Sequence, residues 1–129
     1  AKEMISLGIT IDVVLGFNTK SDVFYVKEFM ELGAKVTVCT MDGSVGYHGN
    51  TVEAIKHMKI PVEYYYTCGP LKMLQALLEN KYQGQLSFEE RMGCGFGACM
   101  GCSHKTIDSY KRICKEGPVL ESSEVYVNV

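Results

Sequence analysis

The sequence lacks the features that mark nucleic-acid-binding and membrane proteins. It contains no run of lysines or arginines, and its 129 residues carry a formal net charge of −2. It therefore has no basic footprint for nucleic acid or for an anionic membrane surface. No apolar stretch approaches the ~18 residues that indicate a membrane span. We expect neither a nucleic acid nor a membrane as a partner.

A secretory signal pattern is also missing. Six cysteines without such a signal indicate a reducing compartment, where clustered thiols bind metal more often than they form disulfides. We expect a cytoplasmic protein.

Several catalytic motifs are absent. The sequence has no Ser-His-Asp set, no pair of carboxylates at a catalytic spacing and no P-loop, and no G-x-G-x-x-G precedes the first predicted helix. A doubly wound nucleotide site begins with a strand, a glycine loop and a helix, whereas this sequence begins in a predicted helix. We expect the chain to be a piece of a longer protein without its N-terminal half. A complete domain with a shortened sheet is the alternative.

The most informative segment is glycine-rich and spans residues 93–102; we call it the cysteine loop. It holds Cys94, Cys99 and Cys102 at the spacing C-x4-C-x2-C, and Cys114 follows after an eleven-residue gap. This is the spacing of plant-type 2Fe-2S ferredoxins, whose clusters are held by four thiolates. Four glycines interleave with the cysteines and permit the tight bends that wrapping a cluster requires. The pattern favours a 2Fe-2S cluster with these four cysteines as ligands.

Two other interpretations of the cysteines stay open. A structural zinc site usually shows two separated C-x2-C-like pairs, and a disulfide framework is typical of secreted chains. A Rieske-type centre needs two histidines in place of two cysteines, so we set it aside although His104 follows Cys102 closely. Around the loop we expect Phe96, Ala98 and Met100 to form an apolar cover that limits solvent access.

Upstream of the cysteine loop, helix and strand patterns alternate. We predict helices over residues 1–7, 22–32, 51–58 and 70–80, and strands over residues 10–17, 35–40 and 62–67. This order is typical of an α/β fold with an open, doubly wound, mostly parallel sheet. Ligands of such sheets bind outside the carboxyl ends of the strands, where the loops 16–21, 40–49 and 68–70 combine glycine with small polar residues. These loops predict a nucleotide pocket.

Five residues in these loops are candidates for cofactor contact: Gly16, Asp42, Cys68, Gly69 and Pro70. Asp42 follows the second predicted strand, where acidic residues bind a ribose hydroxyl; a simple Asp-Gly turn is the alternative. Gly16 lies at a strand end that suits the adenosine half of a nucleotide. Cys68 ends a strand in front of a helix, and a small buried thiol is the alternative there. Cys39 lies in mid-strand, and we expect it in the core.

Three motifs together resemble one family. They are Cys-Gly-Pro-x-x-Met over residues 68–73, Ser-Phe-Glu-Glu-Arg-Met-Gly-Cys-Gly over residues 87–95 and Arg-Ile-Cys-Lys-Glu-Gly-Pro-Val over residues 112–119. In combination they resemble the electron-transfer subunits of B-type dihydroorotate dehydrogenase, within the ferredoxin reductase superfamily. The resemblance implies a truncated, ferredoxin reductase-like NAD-binding domain over residues 1–82 and a small C-terminal 2Fe-2S lobe over residues 83–129. Too little chain follows the cysteine loop for a complete ferredoxin fold, so we expect a short hairpin around residues 107–114.

The resemblance also implies a function. In this family an N-terminal barrel, outside this sequence, binds FAD, the nucleotide domain binds NAD(H), and cysteines matching Cys94, Cys99, Cys102 and Cys114 hold the 2Fe-2S cluster. The turn at Cys68 would lie near the junction of nicotinamide and flavin. Electrons would pass between NAD(H), FAD and the cluster, to or from a catalytic subunit that oxidises dihydroorotate to orotate in pyrimidine biosynthesis.

Three further expectations accompany this reading. We expect the present piece alone to be inactive as an oxidoreductase, because the flavin domain is missing. One alternative is an NAD(P)H-oxidising subunit of a hydrogenase or of a ferredoxin:NADP oxidoreductase complex. An alternative of another class is a zinc-stabilised interaction domain without a redox role.

Overall fold

The computed structural model describes residues 1–126, which divide into two compact units. The first unit runs from Ala1 to Pro61, and the second begins at Val62. Each unit has its own three-stranded sheet, and the second also contains a two-stranded sheet. Within the described residues, no helix combines the length and the apolar character that crossing a membrane requires.

Helices and parallel strands alternate in the first unit. In chain order the elements are α1 (Lys2–Ser6), β1 (Asp12–Phe17), a 3-10 turn (Lys20–Asp22), α2 (Val26–Glu31), β2 (Lys35–Thr40), β3 (Tyr47–His48) and α3 (Thr51–His57). Strand β2 lies between β1 and β3 and pairs in parallel with both. Phe17 at the end of β1 is opposite Thr40 at the end of β2. The carboxyl ends of the two strands therefore meet at one edge of this sheet.

The helix α3 begins at a capping box and packs on β1 and β2. The side chain of Asn50 accepts a hydrogen bond from the Glu53 N–H (2.9 Å), and the Glu53 carboxylate accepts one from the Asn50 N–H (2.9 Å). This reciprocal pair satisfies two N–H groups that would otherwise lack partners at a helix start. Val52 and Ala54, near the start of the helix, are buried in the core of the unit.

The second unit joins a helix, a mixed sheet and a hairpin. Its elements are β4 (Tyr65–Cys68), α4 (Leu71–Glu79), β5 (Gly84–Ser87), β6 (Ser103–Lys105), β7 (Tyr110–Arg112) and β8 (Val119–Glu121). Strand β5 is central: it pairs in parallel with β4 and antiparallel with β8. Strands β6 and β7 form an antiparallel hairpin.

One apolar core holds these elements of the second unit together. Its buried members come from α4, β5, the hairpin segment and β8: Leu74, Leu78, Leu86, Phe88, Cys102, Ile113, Leu120 and Val125. Leu86 and Leu120 are cross-strand partners and are 0% and 1% exposed. Cys102 belongs to this core and Cys114 packs against it. The core therefore holds these two cysteines in position.

The structure confirms the predicted α/β class with parallel strand pairing. The strand predicted over residues 35–40 is β2 itself. The helix predicted over residues 22–32 starts only at Val26, because Tyr25 is left-handed (φ 62°) and a 3-10 turn precedes it. The hairpin expected around residues 107–114 is present, but its first strand starts earlier, at Ser103.

The boundary predicted at residues 82/83 does not coincide with the break between the compact units, which follows Pro61. Strand β5 pairs with β4 on one side and with β8 on the other, so one sheet contains strands from both predicted domains. The division at residue 82/83 stays a prediction about function rather than about compactness.

Candidate functional site

The β6–β7 hairpin brings together Cys102 and Cys114, which are far apart in the sequence. Cys102 directly precedes β6, Cys114 is the second residue after β7, and the register pairs Ser103 with Arg112. The Ile113 N–H donates to the Cys102 carbonyl (3.1 Å), and the Cys114 N–H donates to the Cys102 sulfur (3.4 Å). Antiparallel pairing thus closes the eleven-residue gap and makes Cys102 and Cys114 a pair.

The other two cysteines form a second pair inside the cysteine loop. The sulfur of Cys94 accepts hydrogen bonds from the N–H groups of Ala98 (3.2 Å) and Cys99 (3.5 Å), and the sulfur of Cys99 accepts one from Gly101 (3.4 Å). The loop bends through glycines at positive φ, Gly95 at 75° and Gly97 at 92°, a region that residues with a Cβ enter only with strain. This path lets backbone N–H groups point at sulfur.

These hydrogen bonds favour the charged thiolate, which is the form that binds metal. The N–H groups of Cys99 and Phe96 lower the pKa of Cys94 to about 6. The Cys114 N–H lowers the pKa of Cys102, whereas the hydrogen bond to Cys102 raises the pKa of Cys114. The opposite directions mean that Cys102 is the thiol of this pair that loses its proton more readily.

The donor set fits a two-iron cluster, which takes two thiolates on each iron: Cys94 and Cys99 form one pair, and Cys102 and Cys114 the other. N–H groups directed at the sulfurs are the kind of contact that tunes such clusters. Among residues 1–126, no three or more His, Cys, Asp or Glu side chains have the geometry to hold a single metal ion. The role of the four cysteines as ligands stays a prediction.

An arginine that the sequence reasoning missed ties the cysteine loop to the hairpin. Arg112 donates from Nη1 to the Gly97 carbonyl in the loop (2.6 Å). Its Nε donates to Glu116 Oε2 (3.0 Å), and the same oxygen accepts the Arg112 N–H (2.7 Å). A Cβ on Gly97 would lie 2.9 Å from Lys115 Cδ and 3.2 Å from Arg112 Nη1. The loop therefore needs glycine at position 97 for this contact.

Residues 89–91, which precede the cysteine loop, form no helix. Glu90 Oε1 lies 2.6 Å from His104 Nε2, and the His104 ring packs on Phe88 with centroids 4.7 Å apart. His104 therefore packs on the core residue Phe88 and contacts the Glu90 carboxylate.

The apolar cover expected over the cysteine loop is not formed by this chain alone. Phe96 is 72% exposed and Met100 is 51% exposed, and Ala98 is exposed as well. Positive φ at Gly95, Gly97 and Met100 directs the backbone N–H groups inward. The intervening side chains are therefore turned toward solvent.

In the first unit, the two predicted nucleotide residues have structural contacts of their own. A Cβ on Gly16 would lie 2.6 Å from Thr51 Cγ2, so glycine is required for α3 to approach β1. Asp42 Oδ1 accepts hydrogen bonds from the N–H (2.9 Å) and hydroxyl (2.6 Å) of Ser44. The Ser44 hydroxyl, together with Thr19 and Thr40, lowers the pKa of Asp42 to about 2. Nucleotide contact by either residue stays a prediction.

The Ser44 hydroxyl also links the loops that follow β1 and β2. It accepts a hydrogen bond from the Lys20 N–H (2.7 Å) and lies 3.4 Å from Thr19 Oγ1.

The expectation that Cys39 is a core residue is confirmed, because it is 0% exposed and its thiol donates to the Leu15 carbonyl (3.5 Å). Burial raises the pKa of Cys39.

In the second unit, the predicted turn Cys68-Gly69-Pro70 connects β4 to α4. Cys68 is exposed, so the small buried thiol weighed as its alternative is wrong. Its sulfur lies 3.9 Å from Glu89 Oε1. Pro70 caps α4 and does not occupy its first helical position, and a Cβ on Gly69 would meet Met73 Cε at 2.5 Å. The turn leaves the Cys68 thiol exposed at the carboxyl end of a parallel strand.

Comparisons with known proteins agree with this geometry. Residues 89–126, which contain all four paired cysteines, match the family described as the iron–sulfur cluster binding domain of dihydroorotate dehydrogenase B. The chain thus carries an iron–sulfur-binding domain of that class. More particularly, it belongs to the family of electron-transfer subunits of dihydroorotate dehydrogenase B.

Two curated relatives illustrate the similarity. The chain is 42% identical over 131 residues to the dihydroorotate dehydrogenase B (NAD(+)) electron transfer subunit of Geobacillus sp. strain WCH70, covering 97% of the chain and 50% of the relative. The corresponding subunit of Bacillus cereus strain AH187 is 42% identical over 133 residues, with 97% and 51% covered. The chain spans about half the length of the curated relatives it matches.

A solved structure shares the fold. It is a chain from the NADH-dependent reduced ferredoxin-NADP oxidoreductase, described in connection with flavin-based electron bifurcation. The match has a TM-score of 0.75 and 26% sequence identity, and it covers 98% of this chain and 48% of that chain. The ferredoxin reductase-like α/β architecture is therefore supported by an experimental structure.

Proposed function

We propose that this chain is the part of an electron-transfer subunit that carries electrons between NAD(H), FAD and a 2Fe-2S cluster, serving a dihydroorotate dehydrogenase catalytic subunit. The observation that carries the proposal is the arrangement of four cysteines as two pairs, with backbone N–H groups donating to three of their four sulfurs. This arrangement lies within the residues that match the iron–sulfur family.

Cys94 and Cys99 would hold one iron, and Cys102 and Cys114 the other. When bound, the cluster supplies one-electron transfer at a potential that hydrogen bonds and solvent exposure adjust. The chain contributes the rest. Its N–H groups stabilise negative charge on the sulfurs, and the core around Cys102 restricts water on one side. The exposed loop leaves the other side open to a redox partner.

The cofactor-binding proposal divides the chain at residue 82. Residues 1–82 would bind NAD, with Gly16 and Asp42 near the nucleotide and Cys68, Gly69 and Pro70 near the nicotinamide–flavin junction. Residues 83–129 would bind the cluster; of these, residues 127–129 lie outside the described part of the chain. FAD would be held mainly by further sequence that the longer relatives contain. The exposure of Cys68 at a strand end supports its place in this scheme.

The implied partner is a catalytic dihydroorotate dehydrogenase subunit in a cytoplasmic hetero-oligomer that takes part in pyrimidine biosynthesis. The printed names of the relatives describe them as electron transfer subunits, and such a subunit requires a second one to reduce or oxidise. The 129 residues alone should show no NADH-dependent dye reduction, because hydride transfer from NADH requires the flavin.

Anaerobic reconstitution with iron and sulfide tests the cluster proposal. The unsubstituted chain should acquire the visible absorption of a 2Fe-2S centre, and Cys99→Ser should lose it while keeping the far-ultraviolet circular dichroism of the fold. Cys68→Ser is the matched control, since this thiol is also exposed but lies outside both pairs. It should retain the absorption. An unsubstituted chain that takes up no iron contradicts the proposal.

A second candidate function has its own support. The similarity to a chain of a ferredoxin-NADP oxidoreductase favours, as an alternative, a subunit that oxidises NAD(P)H for another catalytic partner. Affinity purification of the full-length subunit distinguishes the two, because the catalytic subunit that co-purifies differs. Elemental analysis separates both from a zinc-stabilised interaction domain, for which one zinc and no iron would be found.

A further inference from the structure

A buried hydroxyl next to the cysteine pairs has no hydrogen-bond partner. The Oγ atom of Ser103 is inaccessible to solvent and bonds to no atom of residues 1–126. Leaving a buried hydroxyl unpaired is costly, because it loses its bonds to water on folding. Two hydroxyls of the same unit are satisfied: Thr106 bonds to Ser109, and Ser122 accepts from the Gly84 N–H. The buried unpaired hydroxyls of residues 1–126 also include those of Thr51 and Tyr65. Ser103 is the one of the three that directly follows a paired cysteine in the sequence.

The hairpin register shows which way this hydroxyl is directed. Ser103 is opposite Arg112 in the antiparallel pair β6–β7, and residues directly opposite each other place their side chains on the same face. The Arg112 side chain reaches the Gly97 carbonyl of the cysteine loop. The next residue of β6, His104, points the other way, to Phe88 and Glu90, as strand alternation requires. Ser103 is thus on the hairpin face that carries the cysteine loop.

Its place in the chain strengthens the assignment. Ser103 immediately follows Cys102, whose sulfur accepts the Cys114 N–H, so its backbone adjoins one cysteine pair. Its side chain shares a hairpin face with Arg112, which contacts the loop that holds the other pair. Three of the four sulfurs, those of Cys94, Cys99 and Cys102, accept hydrogen bonds from backbone N–H groups, and none of these bonds involves Ser103. A cluster held by both pairs would bring sulfur acceptors to the hairpin and would give this hydroxyl a partner.

We propose that the Ser103 hydroxyl donates a hydrogen bond to a sulfur of the 2Fe-2S cluster and thereby raises the cluster's reduction potential. The inference rests on the proposed function. Reduction adds one negative charge to the cluster, and a hydrogen-bond donor stabilises that charge more in the reduced state than in the oxidised state. Ser103 is a positioning residue in this scheme: it adjusts the potential without binding iron.

The test is a reductive titration of the reconstituted chain, followed by visible absorption and electron paramagnetic resonance. Ser103→Ala should lower the equilibrium constant for one-electron reduction about tenfold, which corresponds to about 59 mV for one electron. Ser103→Thr keeps the hydroxyl and should remain close to the unsubstituted protein. Ser109→Ala removes a hydroxyl at the far end of the same hairpin, where it faces Thr106, and should leave the potential unchanged.

A second comparison keeps the test decisive if the alanine variant folds poorly. Ser103→Val and Ser103→Thr have nearly the same shape and differ in the hydroxyl, so the valine variant should show the lower potential. Equal potentials in these variants, with the cluster present, overturn the inference and assign the hydroxyl to a buried water. A chain that forms no cluster at all contradicts the proposed function instead. The two failures are therefore distinguishable.

Discussion

Ile113 connects the apolar core of the second unit to Cys114, a proposed cluster ligand, and truncating its side chain provides the sharpest test of the structure. The side chain is 2% exposed and belongs to the core. Ile113→Ala removes three carbon atoms, and about 0.8 kcal/mol for each gives about 2.4 kcal/mol of lost transfer free energy. The cavity left behind adds to this, so we expect the free energy of unfolding to fall by about 2–5 kcal/mol.

The location of the cavity predicts a second effect. The Ile113 N–H donates to the Cys102 carbonyl, and the following N–H donates to the Cys102 sulfur. Losing the core anchor between these two bonds should let the end of β7 open locally. A penalty of about 2.4 kcal/mol corresponds to about a fifty-fold larger opening equilibrium. A reconstituted Ile113→Ala chain should release iron to a chelator faster by about that factor.

Leu120→Ala is the matched control. Leu120 is 1% exposed and lies in the same core, but it belongs to β8 and does not adjoin a proposed cluster ligand in the sequence. Urea unfolding should show similar losses of stability for both variants, whereas iron release should accelerate mainly in Ile113→Ala. Equal release rates at equal stability would refute the reasoning, because the core would then hold the ligands only through global folding.

Three further predictions concern other contacts. Gly16→Ala should lower the free energy of unfolding of the first unit by about 1–3 kcal/mol through overpacking, since its Cβ would lie 2.6 Å from Thr51 Cγ2. The second substitution Thr51→Ser deletes that methyl group, so the double variant should regain most of the lost stability when thermal unfolding is measured. The pKa of Asp42 in the folded protein is about 2, below the ordinary value of 3.8. Its hydrogen bonds to Ser44 should therefore contribute stability that is fully present above pH 3.8 and is lost as the pH falls through 2. Carboxyl chemical shifts in an NMR titration measure the pKa directly, and a midpoint near 3.8 would contradict the prediction. Arg112→Lys keeps the charge but loses the planar set of donors, so amide hydrogen exchange of the cysteine loop should become faster, while an unchanged rate would show that the contact does not restrain the loop.

The cysteine spacing carried most of what the sequence revealed about the site. The pattern C-x4-C-x2-C selected three residues because their thiols must meet around an object of fixed size. The structure pairs Cys94 with Cys99 and Cys102 with Cys114. Which cysteine pairs with which was not predictable, because the pairing depends on the register of a hairpin whose strands have only three residues each.

Short elements were missed for a related physical reason. Strands β3, β5 and β8 contain two, four and three residues, too few for a period of two to be recognised. Strand β5 begins at Gly84, where a Cβ would lie 2.2 Å from the Tyr65 carbonyl oxygen. Glycine there reads as a turn signal in the sequence, although its role is to let two backbones come close.

Arg112 illustrates what a sequence cannot convey about a site. Nothing in the spacing of the cysteines indicates an arginine, since its partner is the backbone carbonyl of Gly97, fifteen residues away. Main-chain acceptors are present at every residue, so a contact of this kind leaves no trace in side-chain patterns. The same holds for Ser103, whose hydroxyl is informative only because the structure gives it no partner in residues 1–126.

The two cysteine pairs are held by different forces, and this difference bears on how the segment works. Cys102 and Cys114 are fixed by strand pairing and by the core, in which Cys102 is 4% exposed. Cys94 and Cys99 are held by N–H groups of a glycine-rich loop whose side chains are largely exposed, with Phe96 at 72%. Glycine-rich loops lose more conformational entropy on ordering than strands do. Binding iron across both pairs would therefore join a glycine-rich loop to a strand-paired hairpin, and Arg112 already connects the two through the Gly97 carbonyl.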